Sequence, residues 1–185
     1  MSARTGSTMS AGLFPNIRAD FRAHGRKIGA QGFWAMTVYR YGRWRYTIRW
    51  RWLRLPFSLL YHVLFKWIQI VAGIELPCEV EVGPGLVIDH FGGVIISGYA
   101  KIGADCRLRN DVVIGLRHVD EPVAPVLGDR VDIGSGARIL GPIRVGNDVA
   151  IGANAVVLQD VPDNHVAVGV PATVRPRTRK PVPAA

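Results

Sequence analysis

The fold is indicated most clearly by residues 127–157, LGDRVDIGSGARILGPIRVGNDVAIGANAVV, because an aliphatic residue recurs there at every sixth position. Four positions after each of these opening residues stands a second small or aliphatic residue. The opening residues are Leu127, Ile133, Ile139, Val145, Ile151 and Val157, and the second series is Val131, Ala137, Ile143, Val149, Ala155 and Val161. An internal repeat that keeps its register for so long predicts a solenoid.

Each six-residue repeat provides one short strand and one turn, so three repeats complete one triangular coil. The opening residues point inward, and the stacked coils bury a continuous aliphatic column. Glycine, asparagine and aspartate recur at the corners, where they tolerate the left-handed backbone angles of a tight turn. The repeat therefore predicts a mainly β fold, a parallel β-helix over residues 74–174.

The repeat extends toward the N-terminus with two interruptions. Its earlier opening residues are Val82, Ile88, Val94, Ile102, Leu108 and Ile114. This register places two extra residues around 97–99 and one surplus residue in the segment GLRHVDEPVAP, residues 115–125. Solenoid insertions are surface loops and often lie at the binding face. His118 in this segment is therefore either a binding residue or a solvated loop residue.

Residues 18–73 follow a helical period instead and predict a small α-helical head. Between Arg18 and Arg54 this head carries ten Lys and Arg residues against one acid, Asp20, and aromatic residues alternate with the arginines. Such a surface favours a solvated basic face, an anionic membrane surface or contacts with neighbouring subunits. The chain shows no nucleic-acid-binding motif beside the charge, so no nucleic-acid partner is expected.

The last helix of the head has an unusual distribution of polarity. In FSLLYHVLFKWIQIVAG, residues 57–73, the polar residues Ser58, His62, Lys66 and Gln69 form one narrow stripe and every other face is apolar. Such a helix requires burial in protein or partly in lipid. We expect it to begin at Pro56, which leaves it short for a membrane-spanning helix.

The composition excludes several other classes. A chain of 185 residues with 49 % hydrophobic and 20 % charged residues is expected to be globular. Cys78 and Cys106 form no CxxC motif, which favours reduced core residues in a cytoplasmic protein. Residues 1–17 lack the pattern of a signal peptide and are expected to be a flexible lead-in. Residues 175–185 form a basic tail.

The segments GIELP, VGPGLVIDHFGGVII, VLGDRVDIGSGARILGPIRVGNDVAIGANAVVLQDVP and VGVPATV together resemble the serine O-acetyltransferases, a branch of the hexapeptide-repeat acyltransferases. The resemblance covers residues 73–175. The helical segment GFWAMTVYRYGRW is similar to the short-headed members, some of which acetylate sugars in exopolysaccharide biosynthesis. The resemblance implies a left-handed β-helix, a homotrimer with active sites between subunits, and acetyl-CoA as the acetyl donor.

The same resemblance assigns the catalytic residues. The family's Asp-His pair matches Asp89 and His90, so His90 is expected to be the general base and Asp89 to contact the acceptor. The family's second carboxylate matches Glu75, which is expected to orient the imidazole. The chemistry agrees, because an imidazole that titrates near neutrality can take the proton of an attacking hydroxyl. A carboxylate on the other ring nitrogen stabilises the imidazolium that forms.

Small residues in the later coils are candidates for the coenzyme groove, because they permit close approach to a pantetheine arm. The basic tail supplies a cation for the coenzyme's phosphates. The candidates for contact with acetyl-CoA are Gly115, Gly134, Ser135, Gly136, Ala137, Gly152, Ala153 and Arg175.

One departure from the family's pattern concerns the acceptor. Serine-specific members carry an arginine and a histidine where this chain has Val123 and Ala124. His118 is a possible substitute in the same loop. L-serine and the hydroxyl of an exopolysaccharide sugar therefore both stay open as acceptors, with an amino sugar as a further alternative.

A different class of function is a non-catalytic trimeric β-helix scaffold, or a zinc site built from His90, His118 and His165. The zinc site requires three converging histidines, which are far apart in the repeat, so no metal is expected. We expect a cytoplasmic protein, with peripheral attachment to the inner face of the membrane as a possibility raised by the basic aromatic head.

Overall fold

The computed structural model describes residues 12–178, which form three helices followed by fifteen short strands. The helices are α1 (Leu13–Ala23), α2 (Gln31–Arg45) and α3 (Arg51–Ala72). Helix α1 thus begins inside the segment expected to be a lead-in, of which residues 1–11 lie outside the described part. The basic tail is described as far as residue 178, so Lys180 lies outside it.

The expected start of the last helix at Pro56 is wrong. Helix α3 begins one turn earlier, at Arg51, and the backbone N–H of Arg54 donates to the carbonyl oxygen of Trp50 at 3.1 Å. Pro56 is the sixth residue of the helix, so it removes the one backbone hydrogen bond that residue 56 would donate to Trp52. The helix therefore has 22 residues and ends at Gly73, whose φ of 61° is left-handed.

The strands form three faces of a triangular prism. Face 1 consists of β1 (Ile74–Glu75), β4 (Val94–Ile96), β7 (Val113–Gly115), β10 (Arg138–Leu140) and β13 (Val156–Val157). Face 2 consists of β2 (Glu81–Val82), β5 (Lys101–Ile102), β8 (Val126–Leu127) and β11 (Arg144–Val145). Face 3 consists of β3 (Val87–Ile88), β6 (Arg107–Leu108), β9 (Asp132–Ile133), β12 (Ala150–Ile151), β14 (His165–Val168) and β15 (Thr173–Pro176).

The chain is a left-handed parallel β-helix with a helical head, as the repeat and the resemblance predicted. All neighbouring strands are parallel except β15, which turns back antiparallel to β14. Val145 pairs with Leu127, so one regular coil has the predicted length of 18 residues. Every predicted opening residue is buried, with exposures of 3 % or less.

The first interruption of the repeat lies at a different corner from the one predicted from the sequence. Ile96 pairs with Ile114, so Ile96 is the opening residue of its repeat and Val94 is the inward-pointing residue two positions before it. Val87 pairs with Arg107, 20 residues later, which shows that the first coil has two extra residues. They enlarge the corner at 89–93, and the segment 97–99 is a regular corner.

The second interruption is larger than predicted. Ile102 pairs with Leu127, 25 residues later, where a regular coil needs 18. The corner between β7 and β8 therefore carries seven surplus residues, not one. The miscount arose because Leu127 stands thirteen positions after Ile114, which is the length of two repeats plus one residue. The chain makes only one corner there.

The head packs on the first coil through α2. Gly32 permits close approach, because a Cβ atom there would lie 2.2 Å from the carbonyl oxygen of Ile88. The Arg40 guanidinium forms a buried ion pair with Asp20, 2.8 Å between Nε and Oδ2, and donates to the carbonyl oxygen of Gly83 at 3.1 Å. These contacts fix the head to face 3 of the β-helix, at the N-terminal end of the β-helix.

Candidate functional site

The enlarged corner at 89–93 carries the predicted catalytic histidine. His90 has a φ of 67°, a left-handed value that histidine tolerates better than most residues with a β-carbon. Gly92 donates its N–H to the carbonyl oxygen of Ala72 at 2.8 Å, which anchors the corner to the end of α3. The corner therefore projects away from the coil, and the His90 side chain is exposed.

A cavity of about 430 Å³ lies between this corner and the head. The connection between α1 and α2 forms one wall and β3 with the corner forms the other. The polar and aromatic side chains that line the cavity are His24, Lys27 and Gln31 from the head, Asp89, His90 and Phe91 from the corner, and Arg107 from β6. The predicted base and the predicted acceptor contact thus share one cavity.

Asp89 is the only acidic residue among those that line the cavity. Its Oδ2 atom lies 3.4 Å from Nη1 of Arg107, and both side chains are partly exposed. A pair of this kind contributes little to stability, so its effect is to hold the carboxylate in place. With Lys27 and Arg107, the cavity presents two cationic groups and one carboxylate to an acceptor.

His24 supports the strand that leads to the corner. It is buried, its Nδ1 lies 2.8 Å from the carbonyl oxygen of Asp20, and its Nε2 accepts the backbone N–H of Ile88 at 3.3 Å. These two contacts require the neutral ring with the proton on Nδ1. The ring therefore fixes Ile88, the residue directly before Asp89, against the head.

Sequence reasoning missed the head side of the cavity and Arg107. No spacing rule places residue 24 beside residue 88, because the contact crosses from a helical segment to a coil. The sequence position of Arg107 could have indicated its place in the site. It stands directly before an opening residue and lies one coil after Val87, with which it pairs. Side chains at such positions point outward and can reach the preceding coil.

Among the described residues, Glu75 and His90 form no hydrogen bond or ion pair with each other. It is exposed on β1 and pairs with Ile95 of β4. Within the described part of the chain, neither the Glu75 carboxylate nor the His90 ring has a hydrogen bond or ion pair. The two residues belong to the same coil, because the corner packs on Ala72 and Gly73, shortly before Glu75.

Six of the predicted coenzyme contacts lie on the same edge as His90. We define the His90 edge as the corners between face 3 and face 1, at 89–93, 109–112, 134–137 and 152–155. The last two corners lie two and three coils beyond His90, about 10 and 14 Å at the usual strand spacing. Of the predicted contacts on them, Ser135, Gly136, Gly152 and Ala153 are at least partly exposed, whereas Gly134 and Ala137 are buried.

The small residues of this edge also serve coil stacking. A Cβ atom on Gly134 would lie 2.5 Å from the backbone nitrogen of Ala153, and one on Gly152 would lie 2.7 Å from Cγ1 of Val168. Gly136 has a φ of 74°, and Ser135 Oγ donates to Oδ1 of Asn110 at 2.9 Å. Close packing between coils is thus sufficient to explain the glycines.

Ala137 differs from the other predicted coenzyme contacts on this edge in being an inward residue of the repeat. Its side chain is completely buried and belongs to the aliphatic column. Its position four residues after Ile133 is the inward position of the repeat, which the sequence pattern itself indicates.

The other predicted site residues lie elsewhere in the single chain. Gly115 ends β7 and His118 lies in the loop after it, on the edge between face 1 and face 2, which we call the loop edge. Arg175 is exposed on β15, at the far end of face 3. One chain therefore does not bring these three residues together with His90.

On the loop edge, the two positions at which the resemblance implies an arginine and a histidine are occupied by Val123 and Ala124. Val123 is half exposed, whereas Ala124 is 4 % exposed and packs in the core. His118 is exposed, and its carbonyl oxygen accepts the N–H of Glu121 at 3.3 Å. Within residues 12–178, no group of three His, Cys, Asp or Glu side chains is arranged to hold a metal ion.

Comparison with known proteins finds many similar sequences, although no family model matches the chain. The chain is 40 % identical over 126 residues to the serine acetyltransferase of Mycobacterium tuberculosis and covers 55 % of that protein with 68 % of its own length. It is 41 % identical over 123 residues to the enzyme of Helicobacter pylori, with coverage of 63 % of this chain and 68 % of the relative. For the enzyme of Synechococcus elongatus the identity is 34 % over 180 residues, with coverage of 88 % and 68 %.

Solved structures give the same result. The serine acetyltransferase of Neisseria gonorrhoeae superposes with a TM-score of 0.77 at 27 % identity, covering 92 % of this chain and 68 % of that one. The soybean serine acetyltransferase complexed with serine gives a TM-score of 0.74 at 30 % identity, covering 90 % and 70 %. The chain thus spans little more than half of the M. tuberculosis relative and about two thirds of the others.

Proposed function

Because the chain belongs to the serine acetyltransferase family, we propose that it transfers the acetyl group of acetyl-CoA to the hydroxyl group of L-serine. The observation that carries this proposal is the enlarged corner, which presents an exposed His90 next to Asp89 in a cavity of about 430 Å³. A regular corner of the solenoid would be two residues shorter. The site is therefore a local addition to the fold and not a product of coil stacking.

In the proposed reaction the neutral His90 imidazole takes the proton of the acceptor hydroxyl as its oxygen attacks the thioester carbonyl. The tetrahedral intermediate collapses, the C–S bond breaks, and the coenzyme thiolate leaves with the proton returned by the imidazolium. General-base assistance of this kind is typically worth about 10²–10⁴-fold in rate. Transfer is direct, because neither buried cysteine lies at the corner.

The charges of the cavity support an amino-acid acceptor. L-serine is a zwitterion, with an ammonium group that suits Asp89 and a carboxylate that suits Lys27 or Arg107. The Arg107 guanidinium already holds the Asp89 carboxylate from one side. Binding in this orientation leaves the serine hydroxyl free to approach His90.

We further propose that the working enzyme is a homotrimer. The predicted acceptor contact His118 and the predicted coenzyme contact Gly115 lie on the loop edge, whereas His90 lies on the His90 edge. A neighbouring copy that sets its loop edge against the His90 edge would complete one site from two chains. Acetyl-CoA would then lie along the His90 edge, with Ser135 and Ala153 beside its pantetheine arm and Arg175 near its phosphates.

A sugar hydroxyl is the second candidate acceptor. The supporting observation is the loop edge, where Ala124 is buried in the core and Val123 is apolar. These two positions offer no charged group to the carboxylate of serine. A sugar hydroxyl requires no such group.

The proposal is tested by following thiol release from acetyl-CoA in the presence of L-serine. We expect His90→Ala to lower kcat at least a hundredfold, because the general base is lost. His165→Ala is the matched control, since His165 is a histidine of β14, remote from the corner, and should leave kcat unchanged. Release that requires a sugar and not L-serine would replace the acceptor, and release that is independent of His90 would refute the mechanism.

A further inference from the structure

The outward face of α3 is apolar along its whole length. We define the α3 outer face by Trp52, Leu59, Val63, Trp67 and Ile70, which are between 48 % and 76 % exposed. By length and composition, α3 is the one helix among the described residues that could cross a membrane, and only 17 % of its most apolar window is buried in protein. Monomeric soluble proteins rarely expose contiguous apolar patches of more than a few hundred Å².

Helix α3 carries apolar residues on its outer side as well as on its inner side. Its inner stripe consists of Ser58, Tyr61, Ile68 and Ala72, at helical spacing, and packs on α2 and the first coil. Ser58 Oγ accepts a hydrogen bond from Nη1 of Arg45 at 2.9 Å. Surface helices of soluble proteins place polar residues outward and apolar residues inward. The polar residue Ser58 is therefore used inside the head while the α3 outer face has no cover.

The charged residues of α3 and of the head segments before it have one sign as far back as Asp20. No acidic residue occurs between Asp20 and Glu75, a segment with ten Lys and Arg residues. Arg40 and Arg45 are buried and serve the interior of the head, so they do not belong to the basic surface that the sequence predicted. Arg49 and Arg51 are exposed at the start of α3, and Lys66 is exposed within its apolar side.

From these features we propose that the α3 outer face docks on the surface of a bilayer that contains anionic phospholipid. The indole rings of Trp52 and Trp67 suit the boundary between headgroups and acyl chains, where tryptophan is enriched. Arg49 and Arg51 pair with lipid phosphate, and Lys66 extends its ammonium group to the headgroups from an apolar position. This attachment is independent of acetyl transfer.

The packing of α3 fixes its orientation on the membrane. The helix is about 33 Å long, enough to cross a bilayer. Helix α2 and the first coil pack on it, and α2 carries the buried charge of Arg40. A spanning α3 would draw this charged partner into hydrocarbon, so the helix lies along the surface with the β-helix on the aqueous side.

A second copy of the chain is a poorer occupant of the same face. A contact between the α3 outer faces of two copies would bring the cations Arg51 and Lys66 of both copies into one interface. The segment between Asp20 and Glu75 offers no carboxylate to neutralise them. Anionic lipid supplies the missing negative charge.

The experiment is co-sedimentation of the full chain with phosphatidylcholine vesicles and with vesicles of which one third is phosphatidylglycerol. We expect binding to the anionic vesicles, weakened by high salt. The double variant Leu59→Glu with Ile70→Glu should lower the bound fraction on the order of tenfold or more. Both side chains point outward, and circular dichroism checks that the variant is folded. Val170→Glu, at a 71 % exposed position between β14 and β15, is the matched control and should bind like the wild type.

A second variant keeps the test decisive if the first one misfolds. Reversing Arg49 and Arg51 to Glu should also lower binding to anionic vesicles on the order of tenfold. Equal binding to both vesicle types, or unchanged binding of these variants, would overturn the proposal. A lower mass of the Leu59→Glu, Ile70→Glu variant in solution without vesicle binding by the wild type would identify a second copy as the occupant. Resistance to alkaline extraction would indicate a spanning helix instead.

Discussion

Replacement of Gly32 by alanine tests whether the head positions the catalytic corner. The added Cβ would lie 2.2 Å from the carbonyl oxygen of Ile88 and 3.0 Å from Nε2 of His24. Carbon and oxygen atoms normally stay above about 3.2 Å, so α2 and β3 must separate by about 1 Å. The first contact is a backbone atom, and the second belongs to a ring that two hydrogen bonds hold in place, so the strain has no easy release.

The magnitude follows from three contributions. Overpacking costs about 1–3 kcal/mol, and loss of the His24 to Ile88 hydrogen bond adds about 1 kcal/mol. The higher helix propensity of alanine offsets at most about 1 kcal/mol, because Gly32 is near the start of α2. We therefore expect Gly32→Ala to lower the free energy of unfolding by about 1–3 kcal/mol. Displacement of the corner by about 1 Å should lower kcat/KM on the order of a hundredfold.

The assay combines thermal unfolding with thiol release from acetyl-CoA. Gly29→Ala is the matched control, because it is the same substitution in the same head and a Cβ there meets nothing within 4 Å. This control should stay within about 0.5 kcal/mol of the wild type in stability. A Gly32→Ala protein that unfolds at the same temperature as the control and keeps full activity would refute the idea that the close approach of α2 to β3 positions the corner.

Three further results are expected. Asp20→Asn leaves the Arg40 guanidinium buried without its counter-charge, so urea unfolding should show a loss of about 3–5 kcal/mol, and a loss below 1 kcal/mol would contradict this. Burial raises the pKa of the Cys106 thiol to about 12, so a thiol reagent near pH 8 should label it only when the protein unfolds. The hydrogen bonds from Arg130 hold the pKa of the Asp148 carboxyl below its ordinary value. The pair therefore stabilises the fold above about pH 4, and this stabilisation is lost as the pH falls through the lowered pKa of the folded state. Arg130→Gln should therefore cost less than about 1 kcal/mol at neutral pH and flatten the acid loss of stability in urea titrations.

The solenoid could be predicted because its physics is local. Each coil repeats the same inward positions, so the buried column follows directly from the spacing of residues such as Leu127 and Val145. The position of the first insertion could not be read in this way. Val94 and Ile96 are both buried and stand two positions apart, and either fits the inward series. Only the pairing of Ile96 with Ile114 resolves which corner is enlarged.

The candidate site was predictable only on its β-helix side. Asp89 and His90 stand out in the sequence, but the opposite wall comes from the connection between α1 and α2. The contact of His24 with Ile88 joins residues 64 positions apart, and no periodicity relates a helix to a coil. The same holds for α3, whose narrow polar stripe was visible in the sequence. That Ser58 of this stripe turns toward the protein depends on where Arg45 lies in the folded head.

The loop between β7 and β8 shows how one corner of such a protein can change during evolution. The loop contains seven surplus residues, yet Lys101 and Ile102 before it still pair with Val126 and Leu127 after it. Because a coil contacts only its neighbours, a corner can grow, shrink or exchange its sequence while the strands above and below stay in place. The sequence of this corner can therefore change without a compensating change in the core. The inward residues of the coils must stay constant, whereas the corners are free to vary.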